Sequence, residues 1–268
     1  MDDVIDNQHS EGPRADFDRE VYAYQHVAVA LAEHETPRLL AADTGLLAIL
    51  TTALPGRVVR DLPLETEDEQ RVHRLAGGIL GRWQAWTGLV AEQTRENILA
   101  SVAAQAAEAA QCLERAGHHL TAAQRDLVLR VSTDLPRLAE DAPVAFRHGD
   151  FSPRNWLWDA HRGTVGLIDF QFAAHGLAVE DQVWLHGAQW PTRPDLKDAF
   201  LSGFGRTLTD SEQQALPLLT ARLAASYLTM GITTDDRVLI DRGRTVLDPW
   251  RPPPPAPALD RHRRPPSV

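Results

Sequence analysis

The chain has 268 residues, 43% of them hydrophobic, enough for one large domain or two closely packed lobes. Its formal net charge of −10 argues against a general nucleic-acid binder, which needs a basic surface to neutralise phosphates, and suits a cationic small substrate. No apolar run reaches the roughly 18–20 residues needed to cross a bilayer, and the acidic start Met1–Asp6 lacks the basic head and long apolar core of a secretory signal. With Cys112 as the single cysteine there is no internal disulfide framework, so the expectation is a cytoplasmic chain with no membrane and no nucleic-acid partner, its oligomeric state left open.

Residues 16–34 place Phe17, Val21, Tyr24 and Val27 at helical spacing, with acidic residues in the first turn. Residues 37–43 and 46–52 then read as paired strands around Thr44-Gly45, the second running into Ala53-Leu54-Pro55-Gly56, where proline and glycine end it. Beyond that point the chain turns helical. Residues 67–87 carry Val72, Leu75, Ile79, Leu80, Trp83 and Trp86 on one face, and 91–116 and 122–139 continue the pattern. Residues 195–204, 210–230 and 235–247 again predict helices, and the adjacent His118-His119 would point in different directions rather than form a zinc site. Residues 249–268, with Pro252-Pro253-Pro254-Pro255 and Arg261-His262-Arg263-Arg264, predict a disordered, PPII-prone tail.

Between the two helical regions lies the chemistry. Asn155-Trp156-Leu157-Trp158 and Thr164-Val165-Gly166-Leu167-Ile168-Asp169 flank the polar segment Asp159-Ala160-His161-Arg162-Gly163 and predict a β-hairpin. Antiparallel pairing would set Trp156 opposite Ile168 and Asn155 opposite Asp169, give or take one residue, with both tryptophans covering the core. The preceding loop, His148-Gly149-Asp150-Phe151-Ser152-Pro153-Arg154, brings Asp150 to the same open end. Magnesium takes oxygen ligands, so Asn155 and Asp169 side by side are suitable holders. Asp150 is then available to take a proton from a substrate hydroxyl, a role worth roughly 10²–10⁴ in rate. The protein-kinase template divides the labour in the same way, with a catalytic-loop Asp, a following Asn and a metal-binding Asp on a later strand. His148 reads as a packing and hydrogen-bonding residue of the loop.

The stretch resembles the aminoglycoside phosphotransferase and choline kinase-like family, whose signature HGDxxxxN matches His148 to Asn155 and whose IDF triplet matches Ile168-Asp169-Phe170. The resemblance extends less specifically from about Asp16 to about Leu247. It implies an α+β, protein kinase-like two-lobed fold, with residues 1–56 as a partial N-terminal lobe and hinge, 57–248 as a mainly helical C-terminal lobe and 249–268 as the tail. It also implies transfer of the ATP γ-phosphoryl group to a hydroxyl of an aminoglycoside-like or amine-bearing small molecule. Asp150 carries over as base and Asn155 and Asp169 as magnesium ligands. The backbone near Thr52, Ala53 and Leu54 would receive the adenine. Glu20 matches the helix glutamate that pairs with a phosphate-holding lysine, and Asp181 a carboxylate bracing the catalytic loop. Glu180, Asp235 and Asp236 are the acids available to recognise the acceptor.

One departure stands at the N-terminus. The only lysine is Lys197, after the hairpin, whereas related chains would place one near Asp6, and no glycine precedes Gly12 to form a phosphate-covering loop. The N-terminal lobe therefore reads as truncated or degenerate. Three explanations are open: a start upstream of Met1, phosphate binding by Arg14 or Arg19, or a catalytically silent protein that binds a small ligand or partner in the same cleft. The intact Asp150, Asn155 and Asp169 favour an enzyme.

Overall fold

The computed structural model describes residues 12–86 and 92–250, so the segment with Asp6 and most of the predicted tail lie outside the described residues. Helix α1 (Pro13–His26) starts with Pro13, whose fixed φ suits a first helical turn, and buries Phe17, Ala23 and Tyr24. It stops well before residue 34, because the alternating β-branched run Val27-Ala28-Val29 passes into a short 3₁₀ turn, Ala28–Ala30. The guanidinium of Arg38 collects the carbonyls of Ala28 and Leu31 at 2.7 and 2.6 Å and so closes that turn.

Strands β1 (Leu39–Asp43) and β2 (Ala48–Thr51) pair antiparallel as expected, from Leu39 opposite Thr51 to Asp43 opposite Ala48, with a bulge between Leu39 and Ala41. The Asp43 carboxylate accepts from the N–H groups of Gly45 and Leu46 at 2.8 and 2.9 Å and shapes the connecting turn. After the hinge comes a strand that the sequence did not reveal, β3 (Arg57–Val58), paired antiparallel with β5 (Trp156–Asp159). Strand β6 (Thr164–Leu167) completes a three-stranded sheet in the order β3-β5-β6. The hairpin forms as predicted, one residue out of the central register: Trp156 faces Leu167, and Ile168 donates its N–H to the Asn155 carbonyl at 3.1 Å. Two further unanticipated strands, β4 (Val144–Arg147) and β7 (Ala174–Leu177), pair antiparallel and flank the catalytic loop.

The rest is helical: α2 (Thr66–Gln84), α3 (Glu92–Ala116), α4 (Ala122–Asp141), α5 (Val183–Ala188), α6 (Pro194–Phe204), α7 (Asp210–Thr234) and α8 (Arg237–Leu247). Val72, Ile79, Leu80 and Trp83 on α2 are buried as the apolar stripe predicts, and Trp83 stacks on Phe170 with ring centroids 4.8 Å apart. Trp156 and Trp158 lie in the same core. Helix α7 corrects one expectation. It is long and apolar enough to cross a membrane, and 67% of that apolar window is instead buried inside the fold, against α3, α4, α5 and α8.

Helices α2 and α6 meet through glycine, which permits backbones to approach more closely than any side chain would. A Cβ added at Gly203 would stand 1.8 Å from the Arg74 carbonyl oxygen, so that contact cannot tolerate a methyl group. Gly203→Ala should therefore destabilise the fold by about 1–3 kcal/mol, the usual cost of overpacking, despite alanine's better helix propensity. Urea unfolding should show a lower midpoint at unchanged slope; an unaltered midpoint would contradict the close packing of α2 on α6.

Candidate active site

The loop between β4 and β5 is shaped by its own backbone. Gly149 sits at φ 84°, and a Cβ there would fall 2.1 Å from the Phe172 carbonyl oxygen, so both conformation and space require glycine. Behind the loop, the buried carboxylate of Asp181 accepts from the N–H of His148 at 3.1 Å, from the N–H of Gly149 at 2.9 Å and from Gln84 Nε2 at 3.0 Å. His148 is fully buried. Its Nδ1 accepts from the Asp150 N–H at 3.2 Å, so its Nε2 carries the proton and donates to the Ile168 carbonyl at 3.1 Å. The imidazole thus ties the loop to the strand that ends in Asp169.

Asp150 lies where these restraints aim it. All of its side-chain hydrogen bonds fall on Oδ2: Arg154 donates through Nε at 2.8 Å and also through Nη2, and Asn155 Nδ2 donates at 2.6 Å. Oδ1 is left as the oxygen that can meet a substrate hydroxyl. Burial pushes the Asp150 carboxyl above the ordinary aspartate range, and it outweighs the opposing pull of Arg154, His148 and Asn155. Asn155 Nδ2 also donates to the Asp150 carbonyl at 2.9 Å, which commits the amide nitrogen and leaves the amide oxygen for a hard cation.

Asp169 occupies the left-handed region at φ 71°, which costs a non-glycine residue about 1–3 kcal/mol and persists only where neighbours enforce it. Here they are the Ile168 bonds to Asn155 and His148 and the fully buried Phe170. Glu20 on α1 faces this turn. Its carboxyl is raised first by burial and then by the Asp169 charge, against a lowering hydrogen bond from the Phe170 backbone. Burial, Glu20 and Asp169 likewise push the Tyr24 hydroxyl up. Glu20 is thus within electrostatic reach of Asp169, whose turn is tied to Asn155 through the Ile168 N–H, and two carboxylates with an amide oxygen are donors of the kind a hard divalent cation takes. Lys197 is elsewhere, on α6 at 6.0 Å from the Trp190 ring. Of the two arginines considered as substitutes, Arg14 pairs with Asp18 and the Thr44 carbonyl, whereas Arg19 donates to the Gln171 carbonyl at 2.9 Å, two residues past Asp169. In the hinge, the Thr52 N–H is committed to the Arg38 carbonyl at 2.9 Å, while Leu54 packs on Gly166 of β6. Ala53 and Leu54 are therefore the better placed of the three to meet an adenine edge.

On the other side of Asp150 lies a cavity of about 260 Å³, bounded by Asp150, Ser152 and Arg154 of the loop, Arg60 after β3, Trp184 of α5, Leu223 and Tyr227 of α7, and Arg242 of α8. Glu180, Asp235 and Asp236, acids available in this lobe but more simply read as solvated surface, do not line it. Glu180 accepts from the Leu177 N–H at 2.9 Å and pairs with Arg147 at 3.3 Å; Asp235 ends α7 at φ 55°; Asp236 caps α8 through the N–H groups of Val238 and Leu239. Sequence reasoning missed Arg154, although its position four residues beyond Asp150 inside the motif was a signal. It also missed Arg60 and Arg242, which no local pattern marks.

Removing the brace should loosen the loop. Asp181→Ala strips the buried His148 N–H and the neighbouring Gly149 N–H of their acceptor and should cost about 1–3 kcal/mol, read by urea unfolding; a neutral result would refute the bracing role. Glu20 gives an opposite expectation. Its folded pKa is raised, so it favours the fold while protonated and that contribution is lost as pH rises through the folded value. Glu20→Gln should accordingly raise the melting temperature of the metal-free protein at pH 7, and the gain should fade on acidification to pH 4. A lower melting temperature at pH 7 would show that Glu20 has a stabilising partner.

The sequence matches the model of the phosphotransferase enzyme family (APH) over residues 6–218. No curated protein matches it closely enough to compare. Among solved structures, the GDP complex of wild-type aminoglycoside 2'-phosphotransferase-IIIa superposes with TM-score 0.63 at 17% identity, covering 88% of this chain and 82% of that one. A related aminoglycoside enzyme, APH(2"), in complex with GDP and kanamycin gives 0.59 at 20% identity, with 88% and 83% covered. A choline/ethanolamine kinase family protein from Mesorhizobium loti gives 0.60 at 14% identity, with 87% and 79% covered. These likenesses fix the fold, and the family match spans the loop, the hairpin and the hinge already described: the protein belongs to the phosphotransferase enzyme family and has its kinase-like α+β fold.

Proposed function

We propose that this protein transfers the γ-phosphoryl group of ATP to a hydroxyl of a small molecule. The observation that carries the reading is the convergence of Asp150, Asn155 and Asp169 at the open end of one hairpin, with Asp150 also lining a cavity of acceptor size. Asp150 Oδ1 accepts the hydroxyl proton, the freed oxygen attacks the γ-phosphorus, and the bond to the bridging oxygen breaks to release ADP. Arg154 and Asn155 hold the base on its other oxygen. The Asn155 amide oxygen and Asp169, with Glu20 behind them, would hold magnesium, which neutralises charge on the phosphates when bound. Ala53 and Leu54 would present backbone to the adenine. Relatives solved with GDP and with ADP support a purine nucleotide in this cleft.

A second reading is a catalytically silent protein that binds a small ligand in the same place. The position of Lys197 on α6 favours it, since no other lysine exists to hold phosphates opposite Glu20. The readings separate experimentally. ATP with magnesium at about 100 times its dissociation constant should stabilise the fold by about 2.7 kcal/mol, and GTP run in parallel decides the base. Nucleotide stabilisation without acceptor-dependent ADP release would select the silent reading, and no stabilisation by either nucleotide would sink the phosphotransferase reading and leave only a silent protein that binds some other small ligand.

For the enzyme, Asp150→Asn should lower turnover by roughly 10²–10⁴ while the melting curve stays cooperative. Because the base acts ionised and its pKa lies above the ordinary aspartate value, turnover should rise with pH through that elevated pKa. Arg154→Gln removes the largest opposing influence and should move the rising limb to higher pH. A limb that stays put would mean that another group controls it.

A further inference from the structure

Helix α7 borders two cavities with two different faces. Leu223 and Tyr227 line the one beside Asp150, whereas Arg222 and Thr229 line a second, of about 270 Å³, which α3 borders with Gln105, Glu108, Cys112 and Arg115. The α3 residues recur every three or four positions and so share one stripe of that helix, while Arg222 and Thr229 lie two turns apart on α7. Packed helices ordinarily turn apolar stripes to each other, and these two are polar. Among the described residues, three atoms of this lining are buried without a hydrogen-bond partner: Gln105 Oε1, Arg222 Nε and Thr229 Oγ1. Gln105 is only 8% exposed and commits its amide nitrogen to Ser101 Oγ at 3.2 Å, so its oxygen is the group left over. Nor does any ion pair among the described residues neutralise Arg222, or Glu108 and Arg115, which are exposed members of the same lining. Buried polar groups are nearly always paired, so three such atoms around one cavity mark it as a place for a polar occupant.

We propose that this second cavity binds a small zwitterion of the amino-acid class, its carboxylate on the guanidiniums of Arg222 and Arg115 and its ammonium group on Gln105 Oε1 and the Glu108 carboxylate. Arg222 Nε is a permanently cationic donor and calls for an anionic acceptor, whereas Gln105 Oε1 can only accept and calls for a donor; one molecule carrying both groups answers both. Water would serve the uncharged atoms and leave the charged side chains without counter-charge. At about 270 Å³ the space is just under the usual range of about 300–1,000 Å³ for small-molecule pockets, which suits a body of amino-acid size. No residue is shared with the cavity beside Asp150, so this site stands apart from the phosphoryl-transfer reading.

The test uses four matched five-carbon probes on the intact chain: L-norvaline, 5-aminopentanoate, pentanoate and pentylamine. Binding is read by calorimetry and by the rate at which iodoacetamide alkylates Cys112, which is the chain's single cysteine and a member of the lining. At least one of the two zwitterions should bind about tenfold or more tighter than pentanoate or pentylamine and should slow the alkylation. The comparison of L-norvaline with 5-aminopentanoate decides how far apart the two charges must stand. Arg222→Met keeps the length of the side chain and removes its buried unpaired nitrogen, so it should bring the zwitterions down to the level of pentylamine while the melting temperature holds or rises. Gln105→Leu is the second variant if the first does not fold, and it should weaken the zwitterions likewise. A wild-type protein that binds neither zwitterion, pentanoate or pentylamine binding as tightly as they do, or folded variants with unchanged affinity would overturn the proposal. Because no nucleotide or turnover enters the measurement, its outcome and that of the phosphoryl-transfer reading are scored independently.

Discussion

A buried carboxylate behind the catalytic loop sets the terms for everything in front of it. Asp181 spends both oxygens on inward-facing donors, the N–H groups of His148 and Gly149 and the amide of Gln84, so it joins the loop to helix α2 and to the turn that follows β7. Backbone donors buried in a tight loop would otherwise stay unsatisfied, at a cost that a marginally stable fold cannot absorb many times over. Once the loop is fixed from behind, His148 relays the constraint to Ile168, and the turn at Asp169 inherits its left-handed conformation from that connection. The three residues with chemistry to perform are thus held by residues that perform none.

Charge is divided across the cleft. On the α1 side, Glu20 and Asp169 confront each other closely enough to raise the Glu20 carboxyl; on the α8 side, guanidiniums dominate. A net charge of −10 describes neither, because a few side chains around one cavity have little weight in a sum over the whole chain. Overall acidity by itself therefore carries little information about the charge of an acceptor.

The parts of the fold that were legible from sequence were those with a sustained period. The α2 stripe and the hairpin arms repeat long enough to declare themselves, and the motif spacing between Asp150, Asn155 and Asp169 survives because it is local to one loop and one turn. The hairpin slipped by one residue because Asp159 belongs to the strand, opposite Thr164, with its carboxylate turned back onto the N–H groups of His161 and Arg162. Strands β3, β4 and β7 are two to four residues long and are formed by partners far away in sequence, so no periodicity could announce them. The same distance hides the cavity, since Arg60 and Arg242 come together only through tertiary packing. Helix α7 was legible as a helix over 210–230, whereas its membrane-spanning apolar length was overlooked; apolar composition records burial without saying whether protein or lipid does the burying.

The contact between Gly149 and the Phe172 carbonyl has a mechanical consequence. Because the loop bearing Asp150 and the segment just past Asp169 touch backbone to backbone, neither can shift without carrying the other. The Asp150 loop and the Asp169 turn are thereby coupled, and the cleft cannot open by parting them. Helix α1 is tied to the same body through the Arg19 guanidinium on the Gln171 carbonyl and the Tyr24 ring against Phe170, and the segment after it through the Glu35 carbonyl on Leu167 and the Leu54 side chain on Gly166. Any opening of the cleft would therefore have to carry the Asp150 loop and the Asp169 turn together.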